Sequence, residues 1–207
     1  MPPIESWSDV TGDVTSVHEG EAKVLPPSWY ELVSVQTLEQ GDFFASCQVV
    51  LPAFGCPFPQ PAHGPVPVID AVVKVYDVVV LSQSCDLEQG KITHALVCPY
   101  ESIKHLPRIV ERPTMNAKDI KNALKNIRDG KEHGFHLLNS CDLPPFGFEP
   151  QLVSFRTVFS VPVVYLTHLA QAQHPRLRLR SPYKEQLSQA FARFFMRVGL
   201  PQDIKID

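Results

Sequence analysis

The sequence predicts an α+β fold, in which a small, strongly curved, SH3-like β-barrel carries two helices. Short strand-like segments fill most of residues 30–100, and helical patterns occur at 116–130 and 181–199. The chain also contains 20 prolines, a share that favours many loops and interrupted strands. Its 207 residues fit one domain, and we take residues 1–207 as a single unit.

The strands are predicted from apolar–polar alternation and from apolar runs. Residues 31–36 alternate, and residues 43–51 follow a Gly-Asp turn. Residues 70–83 include a continuous apolar run that is typical of a buried strand, and residues 91–99 return antiparallel after a turn. The strands that complete the barrel are predicted at 133–139, 151–159 and 161–166.

A proline-rich loop and the two helices complete the predicted fold. Residues 52–67 contain six prolines, which lack the N–H groups that a central strand or helix needs, so we expect a surface loop. In 116–130 apolar residues recur at helical spacing, and Gly130 is a natural end. The helix at 181–199 begins at Ser181, a good N-cap, and its phenylalanines indicate a core helix or a subunit interface.

The bulk properties are those of a cytoplasmic protein. No apolar run approaches the roughly 18 residues that cross a bilayer, and the N-terminus lacks the basic start and apolar centre of a secretory signal. The five cysteines are odd in number and irregularly spaced, so they do not predict a disulfide framework. We expect a soluble protein of a reducing compartment, with no membrane partner.

The net charge of −3 conceals an asymmetry between the two halves of the chain. Residues 1–100 carry 12 acidic and 3 basic side chains, a balance of −9, whereas residues 101–207 carry 10 and 16, a balance of +6. Such a split favours head-to-tail self-association, an acidic protein partner, or nucleic acid on the C-terminal half. The charge pattern alone leaves these three alternatives open.

Two basic rows in the C-terminal half fit a nucleic-acid contact. One lies on the 116–130 helix opposite its apolar face, where Asn122 and Asn126 add hydrogen-bonding groups, and the other lies on one side of a strand at 176–180. The predicted contact residues are Lys118, Lys121, Lys125, Arg128, Arg176, Arg178 and Arg180. The alternative is a solvated helix face and an ordinary half-exposed strand, in keeping with a pI of 6.2.

The segment VLSQSCDL places a cysteine just past a buried strand. In a turn with free backbone N–H groups, Cys85 has the setting of a nucleophile, with Asp86 beside it and His94 on the returning strand as the nearest base. The alternative, which we favour, is a cysteine packed at the end of the strand, where Ser82, Ser84 and Asp86 satisfy turn amides. No local signature supports catalysis.

The sequence predicts neither a metal site nor a cofactor. Paired C-x-x-C or H-x-x-x-H spacings are absent, and so are a Walker loop, a dinucleotide fingerprint and a G-x-S-x-G elbow. We therefore expect a protein that works without a metal ion or cofactor.

The order Gly41-Asp42, strand, long loop, VVVLSQ, turn and ALVCPYES resembles the small β-barrel of the PemK/MazF-type toxin family over residues 40–102. In that family ribonuclease activity rests on a basic residue before the second strand and a hydroxyl after the third. The resemblance implies these roles for Lys74 and Ser102, and the missing Arg-Pro implies a barrel that has lost the cleavage chemistry. The segments VLSQSCDL and LSQAFARFFMRVGLP also resemble bacterial proteins without an established activity.

These observations predict a non-catalytic binding module, an accessory subunit of a bacterial multi-protein system. It would contact nucleic acid through the basic rows, while the acidic N-terminal region and the proline-rich loop meet a protein partner. One alternative is an enzyme, either a divergent ribonuclease that uses Lys74 and Ser102 or a thiol enzyme that uses Cys85. Another is a purely structural interaction module or homo-oligomer. Its interface would be formed by Phe191, Phe194 and Phe195.

Overall fold

The computed structural model describes residues 28–53 and 70–196, which form a mixed α+β fold. The part of the chain that it describes contains eight strands, five α-helices and one short 3-10 helix. The acidic N-terminal region, most of the proline-rich segment predicted at 52–67, and the end of the predicted C-terminal helix lie outside the described residues.

The strands form two antiparallel sheets. The small sheet pairs β1 (Tyr30–Val33) with β8 (Arg176–Leu179). The strands of the large sheet are β2 (Phe43–Pro52), β3 (Ala71–Val80), β4 (His94–Ser102), β5 (Phe135–Leu138), β6 (Gln151–Ser154) and β7 (Phe159–Pro162). They follow the order β2-β3-β4-β6-β5, and β7 pairs with β4. The helices are α1 (Ser84–Glu88), α2 (Leu106–Ile109), α3 (Ala117–Arg128), α4 (Val163–Ala172) and α5 (Tyr183–Phe195).

No sheet closes into a barrel within the described residues, so the predicted SH3-like barrel is not formed there. Strand β4 lies inside the large sheet. One of its edges pairs with β3, whereas the other edge pairs with β7 over its first half and with β6 over its second half. The late strands therefore extend an open sheet, because the β5–β6 hairpin continues away from β4 and does not return to β2.

The strand predicted at 161–166 ends at Pro162, and the chain continues as helix α4. The first residues of α4 are β-branched and aromatic, which is why their composition resembles that of a strand. However, Leu166 and Ala170 lie four residues apart on one side of the helix, and both are buried against the large sheet. Packing of this helical face outweighs the local preference for a strand.

Three apolar clusters hold the elements together. The first lies between the two sheets and α5, around Phe155 and Leu187. The second lies between the large sheet and α4. The third holds α2 and α3 against the β5–β6 hairpin, around Leu106, Ile127 and Phe135. Helix α3 is therefore fixed on a packed base, although it lies at the edge of the molecule.

Both predicted helices occur, but their first and last residues differ from the predicted ones. Helix α3 lies within 116–130, and α5 begins within 181–199. Ser181 is not the N-cap of α5, because Pro182 occupies that position and the Ser181 hydroxyl donates to Glu185 at 2.7 Å.

Replacing Asn116 with alanine should lower the free energy of unfolding by about 1 kcal/mol. The Asn116 side chain accepts from the backbone N–H groups of Lys118 and Asp119, and the Asp119 carboxylate accepts from the Asn116 N–H, which is a complete capping box. Urea unfolding measures the loss. The exposed mid-helix change Asn122→Ala is the control and should cost nothing, so equal losses for both variants would contradict the capping role.

Candidate functional site

The buried carboxylate of Asp42 is at the centre of a charged network. Asp42 is 0% exposed, and it accepts hydrogen bonds from Arg178 at 2.5 and 3.1 Å and from Arg176 at 3.1 Å. Gly41, with φ of +84°, lets the chain approach β8 so closely that a Cβ there would lie 3.0 Å from that of Leu179. Arg176 and Arg178 are 1% and 4% exposed, so their predicted position on an exposed face is wrong.

Backbone carbonyl groups complete this network. Arg176 donates to the oxygens of Val35 at 2.5 Å and Thr37 at 2.6 Å, and Arg178 donates to Thr37 at 2.9 Å. Burial acts to lower the pKa of Arg178, but the hydrogen bond and charge of Asp42 offset this effect and raise the pKa above its ordinary value. Both guanidinium groups thus fix the segment before β2 onto β8, and a nucleic acid cannot reach them.

The basic row predicted on α3 is exposed, as expected. Lys118, Lys121, Lys125 and Arg128 all reach solvent, while the apolar side of the helix packs on β5. Arg128 pairs with its neighbour Asp129, with 3.3 Å between Nε and Oδ1. Among the residues that the structure describes, no carboxylate lies within 4.0 Å of the three lysine ammonium groups. These three positive charges extend along about 10 Å of one rigid helix.

The segment that carries this row is basic, although the whole chain is acidic. Residues 101–131 contain 8 basic and 4 acidic side chains, a balance of +4, against −3 for the chain. Within this segment Lys104 pairs with Glu149, and Arg108 pairs with Glu101, so these two charges are neutralised. The unpaired lysines concentrate positive charge on one side of α3. Arg180, the remaining predicted contact residue, is exposed just after β8.

A cleft of about 580 Å³ lies beside the lysine row. Asn122 and Asn126 of α3 form one wall, the 110–115 segment forms a second, and Phe135 with Arg156 forms a third. Among these residues, the two asparagines are marked by the sequence pattern of α3. No local pattern marks the remaining lining residues, because they are brought together by the packing of α3 on the β5–β6 hairpin.

Cys85 lies in the first turn of α1 and is exposed, so the interpretation of a packed cysteine is wrong. The two serines accept from amides of other segments and not from their own turn, since Ser82 accepts from Leu96 N at 2.8 Å and Ser84 accepts from Gln40 N at 3.1 Å. The Cys85 sulfur lies 3.8 Å from a carboxylate oxygen of its neighbour Asp86.

His94, the base predicted for Cys85, is not brought to it. The Nδ1 atom of His94 is paired with Thr93 Oγ1 at 3.1 Å, and both residues are exposed at the start of β4. Within the described residues no hydrogen bond joins His94 to Cys85. The structure therefore assembles no thiol–imidazole pair here.

Ser102 and Lys74, the residues implied by the toxin resemblance, are not hydrogen-bonded to each other in the described structure. The Ser102 hydroxyl donates to Glu149, and Lys104 Nζ lies 2.5 Å from the other oxygen of that carboxylate. Hydrogen bonds from Lys104 and Ser102 lower the pKa of Glu149, which makes this carboxylate a poor general base. Lys74 lies exposed on β3.

The phenylalanines of α5 are divided between core and surface. Phe191 and Phe194 pack against the first apolar cluster, whereas Phe195 is 59% exposed. The prediction of a core helix is thus confirmed for the first two residues, and a subunit interface at the third stays a prediction.

Among residues 28–53 and 70–196, no group of three or more histidine, cysteine, aspartate or glutamate side chains is arranged to hold a metal ion. No helix in the same residues is both long enough and apolar enough to span a membrane. Comparison with known proteins adds no constraint, since no protein-family model and no curated protein matches the chain.

Proposed function

We propose that this protein is a non-catalytic binding module, an accessory subunit of a bacterial multi-protein system, which contacts nucleic acid through α3. The observation that supports this best is the row of Lys118, Lys121 and Lys125, which is exposed on a packed helix and has no carboxylate partner among residues 28–53 and 70–196. Arg128 continues the row, and Arg180 is a peripheral contact. The acidic N-terminal half then remains for a protein partner.

The physical basis is the release of counterions from a polyanion. Each lysine that neutralises a phosphate releases a condensed cation, which favours binding without reading the bases. Lysines already paired with carboxylates would first have to break those pairs, whereas the α3 lysines have no such pair with any residue that the structure describes. The helix is also held by the third apolar cluster, so little ordering is needed on binding.

Reversing two of these charges should weaken binding, and two lysines elsewhere provide a matched control. In Lys121→Glu/Lys125→Glu the affinity for a labelled oligonucleotide should fall about tenfold or more at low salt. The magnitude of the slope of log affinity against log salt should decrease by about 1.4 to 1.8, since each of the two lost phosphate contacts contributes roughly 0.7 to 0.9. Fluorescence anisotropy over a salt series measures both quantities.

The control variant is Lys74→Glu/Lys91→Glu, which changes the net charge by the same amount at exposed positions on β3 and after α1. It should bind like the unmodified protein. Equal weakening in both double variants would show a response to overall charge and would remove α3 as the site. Unchanged affinity in both would remove nucleic acid from the proposed function.

A further inference from the structure

The cleft beside the lysine row is lined by both apolar and polar side chains. The apolar ones include Ala123 and Ile127 of α3, Met115 and Phe135. Its volume of about 580 Å³ lies in the range of small-molecule sites and exceeds what a single planar ring requires. A flat, partly apolar group with polar edges fits such a lining.

The planar guanidinium group of Arg156 also lines the cleft. Arg156 lies over the Phe135 ring, with 4.7 Å between Cζ and the ring centroid, and Glu132 holds it by an ion pair of 3.3 Å. Gly134 makes room for it, because a Cβ at that position would lie 2.9 Å from Arg156 Nε. Phe135 covers one side of the guanidinium, and the Arg156 side chain is still 49% exposed, so part of it is accessible to a ligand. Unpaired bases stack on such planes.

Helix α3 contributes two hydrogen-bonding side chains to the cleft. Asn122 and Asn126 lie four residues apart on α3, and both line the cleft. Within the described part of the chain, no hydrogen bond engages either side-chain amide. An amide presents a donor and an acceptor side by side, the combination that pairs with the edge of a nucleobase.

The cleft and the lysine row belong to the same helix. Lys118 lies one turn before Asn122, so the two side chains are neighbours on the helix surface. A strand whose phosphates lie along the lysines would therefore have its bases turned towards the cleft or away from it. In a duplex the bases are paired and stacked inside and cannot enter.

We infer that this cleft receives an unpaired base of a single-stranded nucleic acid, stacked on Arg156 and hydrogen-bonded by Asn122 and Asn126. The inference rests on the proposed function and specifies its ligand as a single strand. It assigns phosphate binding to the lysine row and base binding to the cleft, so the two roles can be separated by experiment.

The test compares two oligonucleotides of equal length and phosphate count, one intact and one in which every base is replaced by an abasic site. The protein should bind the intact single strand about tenfold more tightly than the abasic strand, as expected for one stacked base. The variants Asn122→Ala/Asn126→Ala and Arg156→Lys should bind the intact strand only as tightly as the abasic strand. Arg156→Lys keeps the charge and removes the plane.

The lysine variant Lys121→Glu/Lys125→Glu distinguishes the two levels of the proposal. It should weaken binding of both strands, while the cleft variants leave the abasic strand unaffected. If intact and abasic strands bind with equal affinity and the cleft variants do not change that affinity, the base site is overturned, although the lysine row remains supported as the phosphate site. If the lysine variant is silent as well, the proposed function fails with it. Circular dichroism melting of each variant checks that the fold is retained.

Discussion

Replacing Asp42 with asparagine should lower the free energy of unfolding by about 3–5 kcal/mol, a large part of the stability of a domain of this size. The change keeps the shape of the side chain and removes its charge. Arg176 and Arg178 would then remain buried with backbone carbonyls, and among the described residues the partly exposed Glu39 would be the one carboxylate still in an ion pair with them. A buried cation that has lost its partner is among the costliest single changes in a protein.

Urea unfolding at neutral pH measures this effect, and Asp129→Asn is the matched control. Asp129 pairs with Arg128 on the surface of α3, where such a pair contributes about 0–1 kcal/mol. A loss below about 1 kcal/mol in Asp42→Asn would show that the network adds little and that Glu39 can replace the missing charge. The result also bears on β8, because the network is what holds its arginines away from solvent.

Those arginines show what local sequence could not predict. The segment RLRLR alternates arginine with leucine, a pattern typical of a strand with one face in solvent. In the structure the arginines are buried instead, because Arg176 is bonded to Asp42, which lies 134 residues away in sequence, and to two carbonyl groups of the loop before β2. A pair of buried cations needs partners that only the tertiary fold supplies, so no pattern within 176–180 distinguishes the two environments.

The elements that were predicted correctly are those whose signal is local. The apolar run of β3 and its antiparallel return in β4 follow from strand alternation, and α3 follows from four apolar residues at helical spacing. Closure into a barrel has no local signal, because it depends on which strands pair with which edges of the sheet. The resemblance at residues 40–102 covers β2 to β4, and the open arrangement of β5, β6 and β7 is set beyond it.

The candidate site was predictable to the same extent. The lysines and Asn122 lie on one helix, so their common surface could be derived from spacing alone. Arg156 and Phe135 face them only because β5 and β6 form a hairpin against α3.

Stability should fall by about 2 kcal/mol between pH 7 and pH 5 because of His136. This side chain is in β5, near the ring of Phe155, and its Nε2 atom is buried without a hydrogen-bond partner in the described residues. Burial lowers the pKa of His136 from 6.5 to about 4. Between these two pH values His136 is protonated in the unfolded chain but neutral in the folded protein. The contribution of neutral His136 to the free energy of unfolding is therefore fully present above pH 6.5 and is lost as the pH falls towards 4.

The variant His136→Phe isolates the contribution of this one side chain. His133 and Glu132, which line the same groove beside α5, are unchanged in the variant. Phenylalanine retains a ring beside Phe155 and removes the titrating nitrogen, and the variant should lose about 2 kcal/mol less than the unmodified protein between pH 7 and pH 5. Urea unfolding at both pH values gives this difference directly. Parallel pH profiles of the two proteins would mean that His136 is solvated or hydrogen-bonded when protonated, and the groove between α3 and α5 would then be open to water.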